Sequence, residues 1–110
     1  MAYYLLQASY TPEAWAALAR KPQDRMEAVR PLIDKLGGTI EDAWFAFGDY
    51  DIVSLLRMPD NISVAAFSHA VFAGGAIKDV KITPLMTWEE GIKSLLKARE
   101  LTYRSPTEET

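Results

Sequence analysis

The sequence predicts an α+β fold in which helices cover one face of a four-stranded antiparallel sheet. Strand-like and helix-like segments follow one another in the order strand, helices, strand, strand, helix, strand, with one more helix at the end. This order is the split βαβ, or ferredoxin-like, arrangement βαββαβ. The 110 residues, 49% apolar and 25% charged, suit one globular domain, which we place at residues 1–100, before a polar tail at 101–110.

The first strand is predicted at residues 2–10, because aromatic and aliphatic side chains fill the segment AYYLLQASY. They occupy both its odd and its even positions, so both faces of this strand are expected to be covered. The segment 11–13 then predicts a helix start: a threonine cap, a proline at the first helical position and an acid in the first turn. This helix is expected to reach about Ala19.

An apolar stripe at steps of three and four residues predicts a second helix over residues 24–36. Its members are Met26, Val29, Ile33 and Leu36. Arg25 falls off this stripe and is expected to be solvated. Pro31 should kink or split the helix, because it removes a backbone donor and crowds the preceding turn. Gly37-Gly38 should end it, with one glycine in the left-handed conformation.

Residues 39–47 and 51–58 predict an antiparallel hairpin, since two strand-like segments this close in sequence pair directly. The first is expected to alternate strictly, with Phe45 and the other odd positions on one face and Trp44 and the other even positions on the opposite face. The second is apolar on both faces. Gly48-Asp49 is expected to turn the chain between them.

Asp60 or Asn61 predicts the cap of a third helix, which extends to about Ala73 and ends at two glycines. A fourth strand is predicted at residues 77–83, with Pro84 marking its end.

The last helix begins at Thr87 and Glu90, which have the spacing of a capping box. This helix has an apolar stripe formed by Trp88, Ile92, Leu95 and Leu96. We expect the stripe to pack against another surface.

Two strands that are apolar on both faces leave one face of the sheet without helices to cover it. The economical solution is a second copy of the chain, packed sheet against sheet in a twofold dimer. The sequence therefore predicts a homodimer or a higher homo-oligomer, with a hexamer as a further level of assembly.

The segment Gly48-Asp49-Tyr50-Asp51 contains glycine, tyrosine and aspartate in this order, with Asp49 as an additional residue. It resembles the Gly-Tyr-Asp signature of the GYD domain family, which belongs to the dimeric α/β barrel superfamily. The segments 36–38 (LGG), 58–60 (MPD) and 87–90 (TWEE) lie at similar positions, and the resemblance spans about residues 1–98. It implies a dimeric α/β barrel but no particular reaction. The superfamily includes small monooxygenases, isomerases, haem-degrading enzymes and stress-response binding modules, which are related to this chain by fold only.

The acids of this segment allow two interpretations. Asp49 and Asp51 are two residues apart and could form an acid/base pair at the end of a cleft. Acids are also ordinary turn residues, and Asp51 could instead bind backbone donors, which is the interpretation we favour. Gly48 belongs to the turn, and Tyr50 either packs against it or directs its hydroxyl into a pocket.

His69 is the only histidine and is a weak candidate for a general base or an axial haem ligand. Gln7 and Trp44 could complete a pocket loosely similar to those of haem-degrading relatives. A lone histidine without a partner motif is more often exposed or hydrogen-bonded at an interface. No metal site is predicted, because His69 has no second histidine or cysteine nearby in the sequence.

The aromatic residues of neighbouring strands predict a core and a dimer interface. They also allow an apolar ligand cavity between helices and sheet, in which a few polar side chains orient a small apolar or aromatic ligand. The candidate polar side chains are Gln7, Ser9, Ser54 and His69.

Composition excludes several classes of function. The chain has no cysteine, which excludes a disulfide framework, a thiolate nucleophile and a cysteine-based zinc site. A net charge of −3 with scattered basic residues gives no basic patch for nucleic acid. Neither a signal peptide nor a membrane span is expected, so the prediction is a soluble cytoplasmic protein.

Two classes of function follow from these residues. The first is a dimeric small-molecule binding module without a cofactor. The alternative is a small monooxygenase-like or isomerase-like enzyme, cofactor-free or haem-dependent, in which His69 or Asp51 would act as the base.

Overall fold

The computed structural model describes residues 1–107, which form four strands and four helices. In chain order they are β1 (Ala2–Tyr10), α1 (Pro12–Arg20), α2 (Met26–Lys35), β2 (Thr39–Phe45), β3 (Ile52–Met58), α3 (Asn61–Ala73), β4 (Ile77–Leu85) and α4 (Trp88–Arg99). The strands pair antiparallel in one sheet of order β2-β3-β1-β4. This confirms the predicted ferredoxin-like α+β fold.

The core lies between one face of the sheet and helices α2 and α3. Alternate residues of the two central strands, β1 and β3, contribute the sheet side of it, because side chains in a strand point to opposite faces in turn. The buried members are Tyr4, Leu6, Ala8, Leu56 and Met58 from the sheet, Ile33 from α2, and Val64 and Phe67 from α3. We call this the helix face of the sheet and the opposite side the open face.

The predicted helix caps are present. The Thr11 hydroxyl accepts a hydrogen bond from the Ala14 N–H at 3.1 Å, and Asp60 accepts one from Ser63 at 2.8 Å. Thr87 and Glu90 form the full capping box at the start of α4. These side chains satisfy backbone donors that the first turn of a helix leaves free.

Helix α2 continues through Pro31 without a break, so of the two predicted effects, a kink or a split, the split does not occur. Its apolar stripe faces the core, with Ile33 fully buried and Val29 and Leu36 packed beside it. The energy of burying this stripe offsets the one backbone hydrogen bond that Pro31 removes.

The strict alternation predicted for β2 is also wrong. A β-bulge interrupts its pairing with β3 between Ile40 and Asp42, so Glu41 is an extra residue in the strand. Such an insertion moves every later side chain to the other face. Ile40 and Phe45 therefore share the helix face, and the strand ends at Phe45 instead of Phe47.

Strand β4 extends beyond the predicted end at Pro84 to Leu85. It lies at an edge of the sheet and pairs only with β1. An edge strand tolerates proline because the missing N–H can be on the side without a neighbouring strand.

Helix α4 and the residues after it extend away from the sheet. None of the residues of α4 is buried, and Trp88 and Leu95 are 87% and 66% exposed. The radius of gyration is 18.3 Å, whereas a compact domain of this length has a radius of about 13 Å. Residues 101–107 form neither helix nor strand, and the last part of the predicted tail, 108–110, lies outside the described residues.

Gly37 and Gly38 join α2 to β2 within a tight turn. Gly37 has a φ of 82°, the left-handed conformation predicted for one of the pair. Gly38 is constrained by space instead: a Cβ placed on it would lie 2.3 Å from the Met58 sulfur and 2.8 Å from the Arg57 carbonyl oxygen.

We expect Gly38→Ala to lower the free energy of unfolding by about 1–3 kcal/mol, since β3 would have to move to admit the methyl group. Gly48→Ala is the matched control, because a Cβ at Gly48 meets no atom within 4 Å. Urea denaturation followed by circular dichroism measures both. Equal stability of the two variants would show that the turn adjusts without cost.

Candidate functional site

Asp51 fastens the β2–β3 connection to the start of α1. Its Oδ2 atom accepts hydrogen bonds from the Tyr10 backbone N–H and from the Trp15 indole N–H, both at 3.0 Å. The Trp15 ring also packs edge-on against the Tyr10 ring, with centroids 5.2 Å apart. We call these three residues the Asp51 clamp. Both N–H groups donate to the same carboxylate oxygen, so the Asp51 carboxylate stabilises the contact between this connection and the start of α1.

The other residues of the signature segment support the same connection. The Ser9 hydroxyl donates a hydrogen bond to the Asp49 carbonyl oxygen at 3.1 Å, so Asp49 takes part through its backbone. Gly48 is exposed and Tyr50 is half-buried. None of the signature residues lines either of the two cavities described below.

Gln7 lies on the open face, because it pairs with Val53 on one side and Lys81 on the other. The middle of this face is apolar, with Leu5 opposite Leu55 in the two central strands. At its margin the Arg57 guanidinium lies over the Tyr3 ring, 5.6 Å from the centroid. No helix with buried residues covers the open face within residues 1–107.

His69 lies on α3 with its side chain exposed, outside the lining of both cavities. The histidine considered as an axial haem ligand therefore lines neither cavity, and haem does not fit them in the way the sequence suggested. Within the described part of the chain, no three histidine or acidic side chains are close enough to hold a metal ion.

A cavity of about 270 Å³ lies between the helix face of the sheet and helices α2 and α3. We call it the inner cavity. Its lining is almost entirely apolar and includes Phe67 and Val71 of α3, Val29 of α2 and Ile77 of β4. Of the polar side chains considered from the sequence, Ser54 is at this cavity, whereas Gln7 and Ser9 are not.

A second cavity of about 560 Å³ lies at the edge of the sheet, between β2 and the segment 22–26. We call it the edge groove. Trp44 and Phe45 line it from the sheet side. The two cavities share four lining residues, namely Tyr10, Arg25, Met26 and Ile52. The edge groove and the inner cavity therefore meet at the N-terminal end of α2.

Tyr10 places a phenol at this junction. Burial raises the pKa of the phenol above its usual value and the Asp51 carboxylate adds to this, whereas the charge and hydrogen bonding of Arg25 oppose it. The phenol is therefore protonated at neutral pH and can donate a hydrogen bond.

Sequence reasoning missed two residues of this region. Arg25 was expected to be solvated; it is exposed, but it also lines both cavities. The sequence did not indicate that Trp15 would contact Asp51, because the two residues are 36 positions apart. The position of Arg25 at the start of an apolar stripe could have indicated a charge at the mouth of a cavity.

Comparison with known proteins gives a family and a fold. The family model described as GYD domain matches residues 4–95. The crystal structure of TTHA0845 from Thermus thermophilus is similar, with 14% sequence identity and a TM-score of 0.52 over 79% of this chain and 95% of that chain. At this identity the likeness concerns the fold alone. No curated protein matches the sequence.

No helix formed by residues 1–107 has both the length and the apolar composition needed to cross a membrane.

We expect Asp51→Ala to lower the free energy of unfolding by about 1–3 kcal/mol, because the part-buried Tyr10 N–H loses its acceptor. The control is Asp49→Ala in the same connection. The Ser9 hydroxyl donates its hydrogen bond to the backbone carbonyl of Asp49, which alanine keeps. That change should stay within about 0.5 kcal/mol. Urea denaturation separates the two variants, and equal effects would contradict the clamp.

Proposed function

The chain belongs to the GYD domain family, and we propose that it is a homodimeric binding module for small apolar or aromatic molecules. The inner cavity carries this proposal. It lies in the layer between sheet and helices, and its lining is apolar except for a few polar side chains. Ligand sites in proteins have this composition, since apolar contact supplies affinity and isolated polar groups supply orientation.

The size of the cavity sets the size of the ligand. Its volume of about 270 Å³ is close to the lower end of the range for ligand sites, roughly 300–1,000 Å³. The adjoining edge groove extends this space outward. A small molecule with a compact or linear apolar body fits these dimensions.

The enzyme alternative stays a prediction, and the described contacts do not favour it. Both candidate bases lie outside the cavity linings: Asp51 already accepts two hydrogen bonds, and His69 is exposed on α3. A general base must reach the proton that it removes in a bound substrate. A cytoplasmic location and the absence of a nucleic-acid partner also stay predictions.

The open face supports the homodimer. Leu5 and Leu55 lie opposite each other at its centre, and Val53 continues the apolar surface toward β2. An antiparallel sheet with one solvated face normally carries polar side chains there. A second copy with the same face would remove this apolar surface from water, and identical faces suit a twofold axis.

Helix α4 provides a second apolar surface, which residues 1–107 leave uncovered. Ile92, Leu95 and Leu96 are 45–66% exposed on a helix that also carries charged side chains. Its capping box and the ion pair between Lys93 and Glu89 stabilise the helix without any packing. We infer that this stripe adds to the contact between copies.

Leu55→Lys should convert the dimer to a monomer at micromolar concentration, because it places a charge at the centre of the open face. Analytical ultracentrifugation of the full chain measures the change, and circular dichroism checks that the variant is folded.

The control for this variant is Ala66→Lys, on an exposed position of α3, which should leave the dimer unchanged. Leu95→Lys tests α4 and should weaken association to a smaller extent. A wild-type chain that sediments as a monomer at micromolar concentration would contradict the homodimer.

Ala70→Phe should block the inner cavity, because Ala70 lines it and the larger ring fills the space. We expect binding of a small apolar probe such as 1-octanol, measured by isothermal titration calorimetry, to fall by about tenfold or more.

The matched control is Ala66→Phe, one turn earlier on the same helix and outside the lining. Ala66 is exposed, so the larger ring there can lie on the surface of α3. If both variants bind the probe like the wild type, the inner cavity is not the binding site.

A further inference from the structure

We propose that the inner cavity takes ligands with an apolar body and an anionic head, of which a carboxylate is the simplest. The head lies at the junction of the two cavities, beside Arg25 and Tyr10. This inference rests on the proposed binding function and specifies the chemical class of its ligand.

The described lining of the inner cavity carries a single charge. Among residues 1–107, eighteen line this cavity, and Arg25 is the only one of them with a charged side chain. Tyr10 and Ser54 are the remaining polar side chains, and no carboxylate is among the eighteen. Arg25 is exposed at the mouth, where water screens part of an ionic contact, and a cation without a carboxylate in the described lining favours a negative charge there.

One nitrogen of the Arg25 guanidinium donates a hydrogen bond to the Gln23 side chain at 3.1 Å. Among residues 1–107 the only ion pair joins Lys93 to Glu89, so this guanidinium has no carboxylate partner there. A guanidinium has five N–H donors in a planar fork, and a carboxylate can accept two of them at once.

The Tyr10 phenol, which is protonated at neutral pH, offers a second donor at the same junction. Asp51 accepts two hydrogen bonds within the clamp, and Asp24 accepts one from the Met26 N–H at 2.9 Å. These neutral donors leave both negative charges in place, but neither carboxylate lines the inner cavity. Asp24 lines the edge groove and not the inner cavity, so it disfavours an anion farther out and favours the junction.

The direction of the ligand follows from the distribution of these groups. The polar side chains Arg25 and Tyr10 lie at the shared end, where the edge groove begins. Phe67, Val71 and Ile77 line the inner cavity without lining the groove. The apolar body therefore extends between α3 and the sheet, with the head toward the N-terminal end of α2.

The test compares three probes that share one apolar chain and differ in the head: octanoate, 1-octanol and octylamine. Isothermal titration calorimetry of the full chain near neutral pH gives their dissociation constants. We expect octanoate to bind about tenfold more tightly than 1-octanol, and octylamine to bind most weakly. Arg25→Gln should weaken octanoate about tenfold and weaken 1-octanol much less, so that the preference for octanoate is lost.

Two further variants show that the effect is one of charge at this place. Arg25→Lys keeps the charge and should retain part of the preference for octanoate. Arg30→Gln removes an exposed charge from the same helix outside both linings and should change nothing. Ala70→Phe should weaken all three probes, which locates them in the inner cavity.

The outcomes separate this inference from the function on which it rests. If 1-octanol binds the wild type as tightly as octanoate, or if Arg25→Gln keeps the preference, the anionic head is wrong and the binding function stands. If none of the three probes binds the wild type, the binding function fails, and the ligand class fails with it.

Discussion

The central constraint in this protein is that its two middle strands are apolar on both faces, whereas the helices that pack on the sheet cover only one. Helices α2 and α3 bury the helix face and form the core with it. The open face keeps half-buried leucine and valine side chains, which no helix of the described chain buries. Burial of apolar surface is the main favourable term in folding and association. The same pattern therefore specifies the core within one copy and favours association with a second.

The Asp51 clamp links the signature segment to the candidate site. Its carboxylate fixes the Tyr10 backbone and the Trp15 indole, so the end of β1 and the first turn of α1 are held together. The Tyr10 side chain then lies at the junction of the two cavities. Asp51, a candidate for catalysis from the sequence, thus accepts hydrogen bonds that hold Tyr10 and Trp15 together, and Tyr10 and Arg25 are the residues at the junction that we propose for ligand binding.

Several parts of the fold could be predicted because their causes are local. Thr11, Asp60 and Thr87 cap helices through atoms three residues away, and Gly37 ends a helix through its own backbone conformation. The bulge at Glu41 could not be predicted in this way. It depends on how β2 pairs with β3, and it reverses the faces of all later side chains in the strand.

The sequence by itself determined the order of the elements, their caps, the hairpin and the apolar character of both sheet faces. Only the tertiary structure decided which side chains meet. Asp51 reaches Tyr10 and Trp15 across 41 and 36 positions, and these contacts exist only after β1 and β3 have paired. Arg25 acquires its place at the cavity mouth in the same way, since α2 must first pack on the sheet. Local propensity acts over a few residues, whereas a cavity and its charge arise from segments that the chain brings together by folding.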